Sequence, residues 1–257
     1  MVADNGKFRV SAMMIEYLRA SRLALRDQRF LLATIHFQHL LGDWPSIDWG
    51  AARNQEHWMP LKDYRNLGCA PRSNDARHFQ AATEFWQEER VLFDEIALAQ
   101  DHRHVRWRFS EFSFAMMSEM DRYALLIAER LKTARTDLDL DVLLQAVLHH
   151  RMQRPEFRIL DQGFQGRGEE PVPFKLKDVD RKLKSSLQRL ADLTGYRFVV
   201  GYLQEGKAPG YTSVAIRIQH EKTKWPSGRI DKFPPRTRQF SLVPEAGEAQ
   251  QSLQMKA

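Results

Sequence analysis

The feature that most constrains the fold is an amphipathic helix followed at once by a β-hairpin. Residues 177–194 contain no Pro or Gly, and their apolar residues recur at helical intervals. On a helical wheel, at about 100° per residue, the apolar residues fall within one arc of about 80°. This predicts an apolar stripe that faces a core. These are Val179, Leu183, Leu187 and Leu190. Apolar and polar residues then alternate along 212–220, which pairs with 196–203 as the predicted hairpin.

The opposite arc of this helix carries hydrogen-bond donors suited to phosphates and base edges. Its members are Arg181, Lys182, Ser185 and Arg189, and Lys175 and Lys177 stand at its start. Helix, loop, helix and hairpin is the order of a winged helix, whose second helix enters the major groove. In this arrangement we expect Lys207, at the hairpin tip, to contact a phosphate. A solvated basic face that binds nothing is the alternative interpretation of the same pattern.

Charge is distributed unevenly along the chain. The 257 residues carry a formal net charge of +6, but residues 172–257 hold 16 basic and 8 acidic residues, whereas residues 1–171 hold 23 and 25. A basic segment attracts polyanions by releasing their counterions, and nucleic acid is the commonest such partner. The imbalance alone agrees equally with DNA as the partner of the C-terminal third and with a solubilising basic tail that binds nothing.

The remaining pattern predicts helices interrupted by an earlier hairpin. Predicted helices cover 11–41 with a break near Ser21, then 74–90, 111–120, 121–132 and a segment capped by Thr136 or Asp137. Alternation of Val105, Trp107 and Phe109 with polar residues predicts a hairpin over 91–109. Residues 151–173 are rich in Gly and Pro and predict an irregular connection.

These elements define an α+β fold that is mainly helical, with two tandem winged-helix domains, each ending in a β-hairpin. We expect two domains, an N-terminal one over 1–111 and a DNA-binding one over 112–220. Residues 221–257 contain several prolines and no sustained periodicity, which predicts a disordered tail.

Several classes of protein are disfavoured. No apolar run approaches the roughly 18–20 residues of a membrane span, which predicts a cytoplasmic protein without a membrane partner. The single Cys69 excludes an internal disulfide and a thiolate zinc site. His36 and His39, or His102 and His104, are weak metal-binding pairs, and no phosphate-binding loop or nucleophile elbow is present. We therefore expect no cofactor and no enzymatic activity.

Three segments resemble the plasmid replication initiators that bind iterons through tandem winged-helix domains. Residues 23–32 are similar to the first helix of that family, and residues 112–131 resemble the helix that opens its second domain. Residues 174–218 resemble its recognition helix and wing, including the Leu-Ala-Asp-Leu-Thr-Gly end at 190–195.

The resemblance implies binding to direct repeats at an origin, local melting, and recruitment of host replication proteins. It also implies a homodimer that represses its own promoter, with the domain over 1–111 serving dimerisation and DNA contact. In the first domain it makes Arg77, Gln80 and Arg103 further DNA-contact candidates. The open alternatives are a winged-helix transcriptional regulator and a metal-dependent DNA nickase that uses the histidines.

Overall fold

The computed structural model describes nine ranges of the chain: residues 6–21, 23–41, 56–70, 76–118, 121–159, 174–204, 210–225, 229–234 and 237–244. They form two compact units, Met1–Leu140 and Asp141–Ala257. Helices and antiparallel sheets occur in both, so the α+β class is confirmed. No helix among these residues is long and apolar enough to cross a bilayer.

The helices and strands of the first unit follow the predicted pattern in part. Its helices are α1 (Ala12–Ala20), α2 (Leu25–Leu41), α3 (Leu61–Asn66), α4 (Arg77–Glu89) and α5 (Glu111–Ser118). Its strands are β1 (Lys7–Ser11), β2 (His57–Pro60), β3 (Phe93–Leu98), β4 (His104–Phe109) and β5 (Tyr123–Ile127). The break in the first helix and the hairpin β3–β4 are confirmed.

Helix α2 is the centre of the first unit's core. Its predicted stripe, which includes Leu31 and Ile35, is buried. Phe30 stacks on Tyr64 of α3 at 5.0 Å between ring centroids. The buried Gln38 accepts a 3.0 Å hydrogen bond from the Trp107 indole of β4, which joins α2 to the three-stranded sheet β2-β4-β3.

The predicted helix over 121–132 is wrong. Strand β5 pairs antiparallel with β1, and a 3-10 helix, Ala128–Thr133, follows it. Ala124 and Leu126 are buried while their neighbours are partly exposed, which is the two-residue alternation of a strand. Because β1 lies over a hundred residues earlier, this pairing places Tyr123–Ile127 in the first unit with the N-terminal strand. The division between the two compact units falls at 140/141, whereas the sequence placed a domain boundary at 111/112.

The second unit is an antiparallel sheet with a long helix. Helix α6 (Asp137–His149) spans the division between units, and Thr136 caps it as predicted, its hydroxyl accepting from the Asp139 N–H. The other elements are β6 (Glu156–Ile159), α7 (Leu176–Thr194), β7 (Arg197–Leu203), β8 (Ser213–Gln219) and β9 (Arg238–Leu242). The strand order is β6-β8-β7-β9.

The prediction of a disordered tail from residue 221 is wrong for the described part of that segment. Strand β9 pairs with β7, with Phe240 opposite Val200. Phe233 covers Gly201 of β7, and Arg217 of β8 lies with its guanidinium carbon 4.0 Å from the Phe233 ring centroid. The Arg217 side chain also donates to the carbonyls of residues 229, 230 and 232. Ring stacking and satisfied carbonyls therefore order a segment that lacks periodicity.

Candidate nucleic-acid interface

Helix α7 has the two faces that its sequence predicts. Leu183, Leu187 and Leu190 are buried, and Val179 is partly buried. Gly195 adopts φ 71° and donates its N–H to the Ala191 carbonyl, which ends the helix in the left-handed conformation that glycine favours. The helix is thus fixed by its apolar face, and its opposite face is open to solvent.

The exposed face presents the predicted cations together. Lys177, Arg181, Lys182 and Ser185 are exposed, as is Lys175 directly before the helix, and Arg189 is partly exposed. Asp178 and Asp192 stand near the two ends of the same face. The positive charge is therefore concentrated in the middle turns, around Arg181, Lys182 and Arg189.

The Arg189 side chain is held by its own helix. Its Nη1 donates to Ser185 Oγ at 2.6 Å, and its Nη2 lies 3.5 Å from Ser186 Oγ. Such bonds restrict the rotamers of a long side chain before any partner arrives, and this lowers the entropy that binding must remove. Ser185 therefore orients the Arg189 side chain on the exposed face of α7.

Other polar residues of α7 are directed toward the sheet. Asp180 accepts from Lys184 Nζ at 2.8 Å and from the Tyr202 hydroxyl at 2.9 Å. Gln188 donates to the carbonyl of Val243, just after β9. Burial alone would raise the pKa of Asp180, but the hydrogen bonds from Lys184 and Tyr202 bring it below its ordinary value. These contacts attach the helix to strands β7 and β9 and leave its cationic face clear.

The hairpin after α7 is also confirmed. Strands β7 and β8 pair over seven residues, from Arg197 opposite Gln219 to Leu203 opposite Ser213. Phe174, two residues before α7, forms a backbone bridge to Tyr211 beside the hairpin loop. The start of the cationic helix therefore lies at the loop end of the hairpin. Lys207, the predicted phosphate contact in that loop, lies outside the described residues.

The candidates in the first unit have more acidic surroundings. Arg77 and Gln80 are exposed on α4, but the Gln80 amide donates to Glu84 at 3.0 Å, and Glu88 and Glu89 are exposed on the same helix. Arg103 is exposed in the β3–β4 turn, where its N–H donates to Asp101. That bond is the main cause that holds the pKa of Asp101 below its ordinary value. These three candidates include two cations, fewer than the exposed face of α7 presents.

Metal ligands do not converge in the described ranges, where no group of three His, Cys, Asp or Glu side chains could hold an ion. His36 is buried against Phe8, with ring centroids 5.1 Å apart. His104 bonds through Nδ1 to Asp101. Cys69 is buried, and burial raises the pKa of its thiol to about 12.

Sequence reasoning missed strand β9, which lies beside α7. Lys184 Nζ lies 4.9 Å from the Phe240 ring centroid, so β9 packs along the flank of α7. The spacing of Phe240 and Leu242 is the alternation of a strand, but it covers only five residues among prolines. A signal that short does not separate a strand from a loop.

Comparison with known proteins finds a similar fold but no similar sequence. No protein-family model matches the chain, and no curated protein sequence matches it significantly. A crystal structure of the Pi initiator protein in complex with iteron DNA is similar, with a TM-score of 0.60 and 11% sequence identity. The match covers 86% of this chain and 100% of the other. The resemblance to plasmid replication initiators is therefore confirmed at the level of the fold.

Proposed function

We propose that this protein is a sequence-specific, double-stranded-DNA-binding initiator of plasmid replication, built from two tandem winged-helix domains. The observation that carries the proposal is the cationic face of α7, which stands against a hairpin in a fold shared with an initiator crystallised on iteron DNA. In this account α7 is the recognition helix and the β7–β8 hairpin is the wing.

The side chains of α7 divide by reach and chemistry. Arg181 and Arg189 are the base-reading residues, because a guanidinium pairs bidentately with the O6 and N7 of guanine. Lys175, Lys177 and Lys182 bind phosphates as point charges, and Lys207 does so from the wing. Each base-reading pair contributes about 1–3 kcal/mol of discrimination against a wrong base.

The first unit has a supporting role in this proposal. Arg77, Gln80 and Arg103 contact the DNA backbone, and the contacts of Gln80 and Arg103 are weak because a carboxylate stands beside each of them. The unit also carries the homodimer contact through which the protein represses its own promoter. The initiator acts without catalysis or cofactor: it binds direct repeats at a plasmid origin in the cytoplasm, promotes melting, and recruits host replication proteins.

Footprinting and cleavage on one supercoiled plasmid test the proposal. The plasmid carries the DNA that adjoins the coding region, and the assay combines nuclease protection, permanganate reactivity and a nicking assay with and without Mg²⁺ or Mn²⁺. The proposal expects protected tandem direct repeats and permanganate-reactive bases with no strand cleavage. Protection of a single palindrome without melting would instead indicate a transcriptional regulator, and metal-dependent nicking would indicate a nickase.

A further inference from the structure

A second cluster of cations lies in the second unit, on two turns that touch each other. We name it the basic turn surface and define it as residues 150–155, between α6 and β6, and residues 220–225, after β8. Its exposed cations are Arg151, Arg154, Lys222 and Lys224. Glu221 is the carboxylate within these two ranges, so the surface has a formal charge of +3 with neutral histidines.

Hydrogen bonds hold the two turns side by side. The His220 ring donates from Nε2 to the His150 carbonyl at 2.8 Å, and its Nδ1 accepts from the Lys222 N–H at 3.2 Å. The Lys224 N–H donates to the Gln153 carbonyl at 2.8 Å. The Tyr196 ring packs on His220 with centroids 4.9 Å apart. The backbone that carries the cations is therefore set before any anion binds.

Neighbouring carboxylates do not neutralise this surface. Glu156 accepts from Arg217 at 2.7 Å, and Asp231 accepts from Arg197 at 2.9 Å, so both are engaged elsewhere. Within the described ranges, the side chains of Arg154, Lys222 and Lys224 take part in no ion pair. Exposed cations that lack internal partners retain their attraction for an external polyanion.

The basic turn surface is distant from the start of the recognition helix. It lies where β7 begins and β8 ends, whereas Phe174 and Tyr211 place the start of α7 at the hairpin-loop end. Seven paired residues separate the two ends of the hairpin by about 20 Å, at roughly 3.3 Å per residue. The C-terminal end of α7, at Thr194, lies near the basic turn surface, because Tyr196 packs on His220.

We propose that the basic turn surface binds phosphates of DNA that the side chains of α7 do not themselves contact. The choice of DNA as the ligand rests on the proposed function, in which DNA is the polyanion that this protein binds. Binding here is independent of sequence, because cations that pair with phosphates carry no base information. The phosphates belong to the flanks of the same duplex or to a second duplex, and the experiment separates these two sources.

The test neutralises the surface and measures the salt dependence of DNA binding. The variant is Arg154→Gln/Lys222→Gln/Lys224→Gln, and the control Lys7→Gln/Arg122→Gln/Lys132→Gln removes equal charge from the first unit. Fluorescence anisotropy between 50 and 200 mM salt is measured on a duplex trimmed to the footprint and on one with long flanks. Three lost contacts lower the slope of log K against log salt by about 2.7, so the wild type loses about 40-fold more affinity than the variant.

A second variant and a second duplex complete the design. Lys222→Gln/Lys224→Gln leaves the end of α6 untouched, and its expected difference is about 12-fold. A change confined to the long-flanked duplex assigns the phosphates to the flanks. Loss of capture of a second, labelled duplex assigns them to another DNA. Wild-type slopes and wild-type capture in both variants would overturn the inference, even where the α7 variants still lose sequence preference. If the wild-type protein binds no DNA, the proposed function itself fails.

Discussion

The hydroxyl of Tyr202 on β7 donates to the carboxylate of Asp180 on α7, with the two oxygens 2.9 Å apart. Asp180 directly precedes Arg181, so this bond joins the sheet to the helix beside the first base-reading candidate. Burial and the neighbouring Asp180 carboxylate both raise the pKa of Tyr202, which therefore stays protonated and keeps donating.

Removing the Tyr202 hydroxyl is expected to loosen the helix on the sheet. Tyr202→Phe keeps the ring packing but deletes the donor, so the free energy of unfolding should fall by about 1 kcal/mol. Denaturant unfolding followed by circular dichroism measures it. Tyr211→Phe is the matched control, because its ring contacts Tyr202 at 5.5 Å without a hydroxyl bond among the described residues. Equal losses in the two variants would contradict the assigned bond.

The carboxylate side of the same pair predicts a pH dependence. The pKa of Asp180 is lowered in the folded state, so its contribution to stability is complete above the unfolded value, about 3.9, and is lost as pH falls through the folded pKa. Asp180→Asn should therefore be less stable than the wild type at neutral pH, and the gap should narrow below about pH 4. Urea midpoints measured from pH 3 to pH 7 decide this, and a gap that stays constant would refute the assignment.

The contact of Gly201 with Phe233 predicts a coupled pair. A Cβ built at position 201 would lie 2.6 Å from Phe233 Cδ1, closer than real contacts allow. Gly201→Ala should therefore destabilise the protein by about 1–3 kcal/mol through overpacking. In Phe233→Ala the same substitution should cost much less, and a double-mutant cycle measures the difference. Additive effects would show that residue 233 does not cover the sheet in solution.

Cys69 is expected to be inert in the folded protein. Its thiol is buried, and burial raises its pKa to about 12, so the reactive thiolate is scarce at neutral pH. Alkylation by iodoacetamide at pH 8 should be slow without denaturant and fast in concentrated urea. Fast modification of the native protein would show that the region around α3 opens readily.

Elements with a local signal could be predicted from the sequence. Helices α2 and α7 and the hairpins β3–β4 and β7–β8 depend on periodicity within about 20 residues, and each is present. Strands β1 and β5 could not be found in this way, because five-residue strands over a hundred residues apart stabilise each other only when paired. The spacing of Tyr123, Leu126 and Leu131 also matches a helix. Pairing with β1 therefore determines that this segment forms a strand.

In the candidate site, too, some features could be predicted from local sequence and others could not. Exposure of Arg181, Lys182 and Ser185 follows from the wheel of a single helix, since the apolar stripe determines which face is buried. The flank formed by β9 was not predictable, because it depends on Arg217 stacking on Phe233 and binding three distant carbonyls. The hydrogen bond between Arg189 and Ser185 agrees with their spacing of four residues on a helix. Whether it forms depends on the rotamers of the two side chains, which the sequence does not give.

The most direct test of the central claim is the DNA affinity of Arg181→Ala/Arg189→Ala on the footprinted repeat and on a scrambled duplex. Both side chains lie on the solvent face, so the melting temperature should change little, and Arg122→Ala/Arg135→Ala in the first unit is the charge-matched control. At about 1–3 kcal/mol for each base contact, affinity for the repeat should fall about 30-fold or more. Affinity for the scrambled duplex should change much less. Unchanged affinity and unchanged preference for the repeat would contradict the assignment of α7 as the recognition helix.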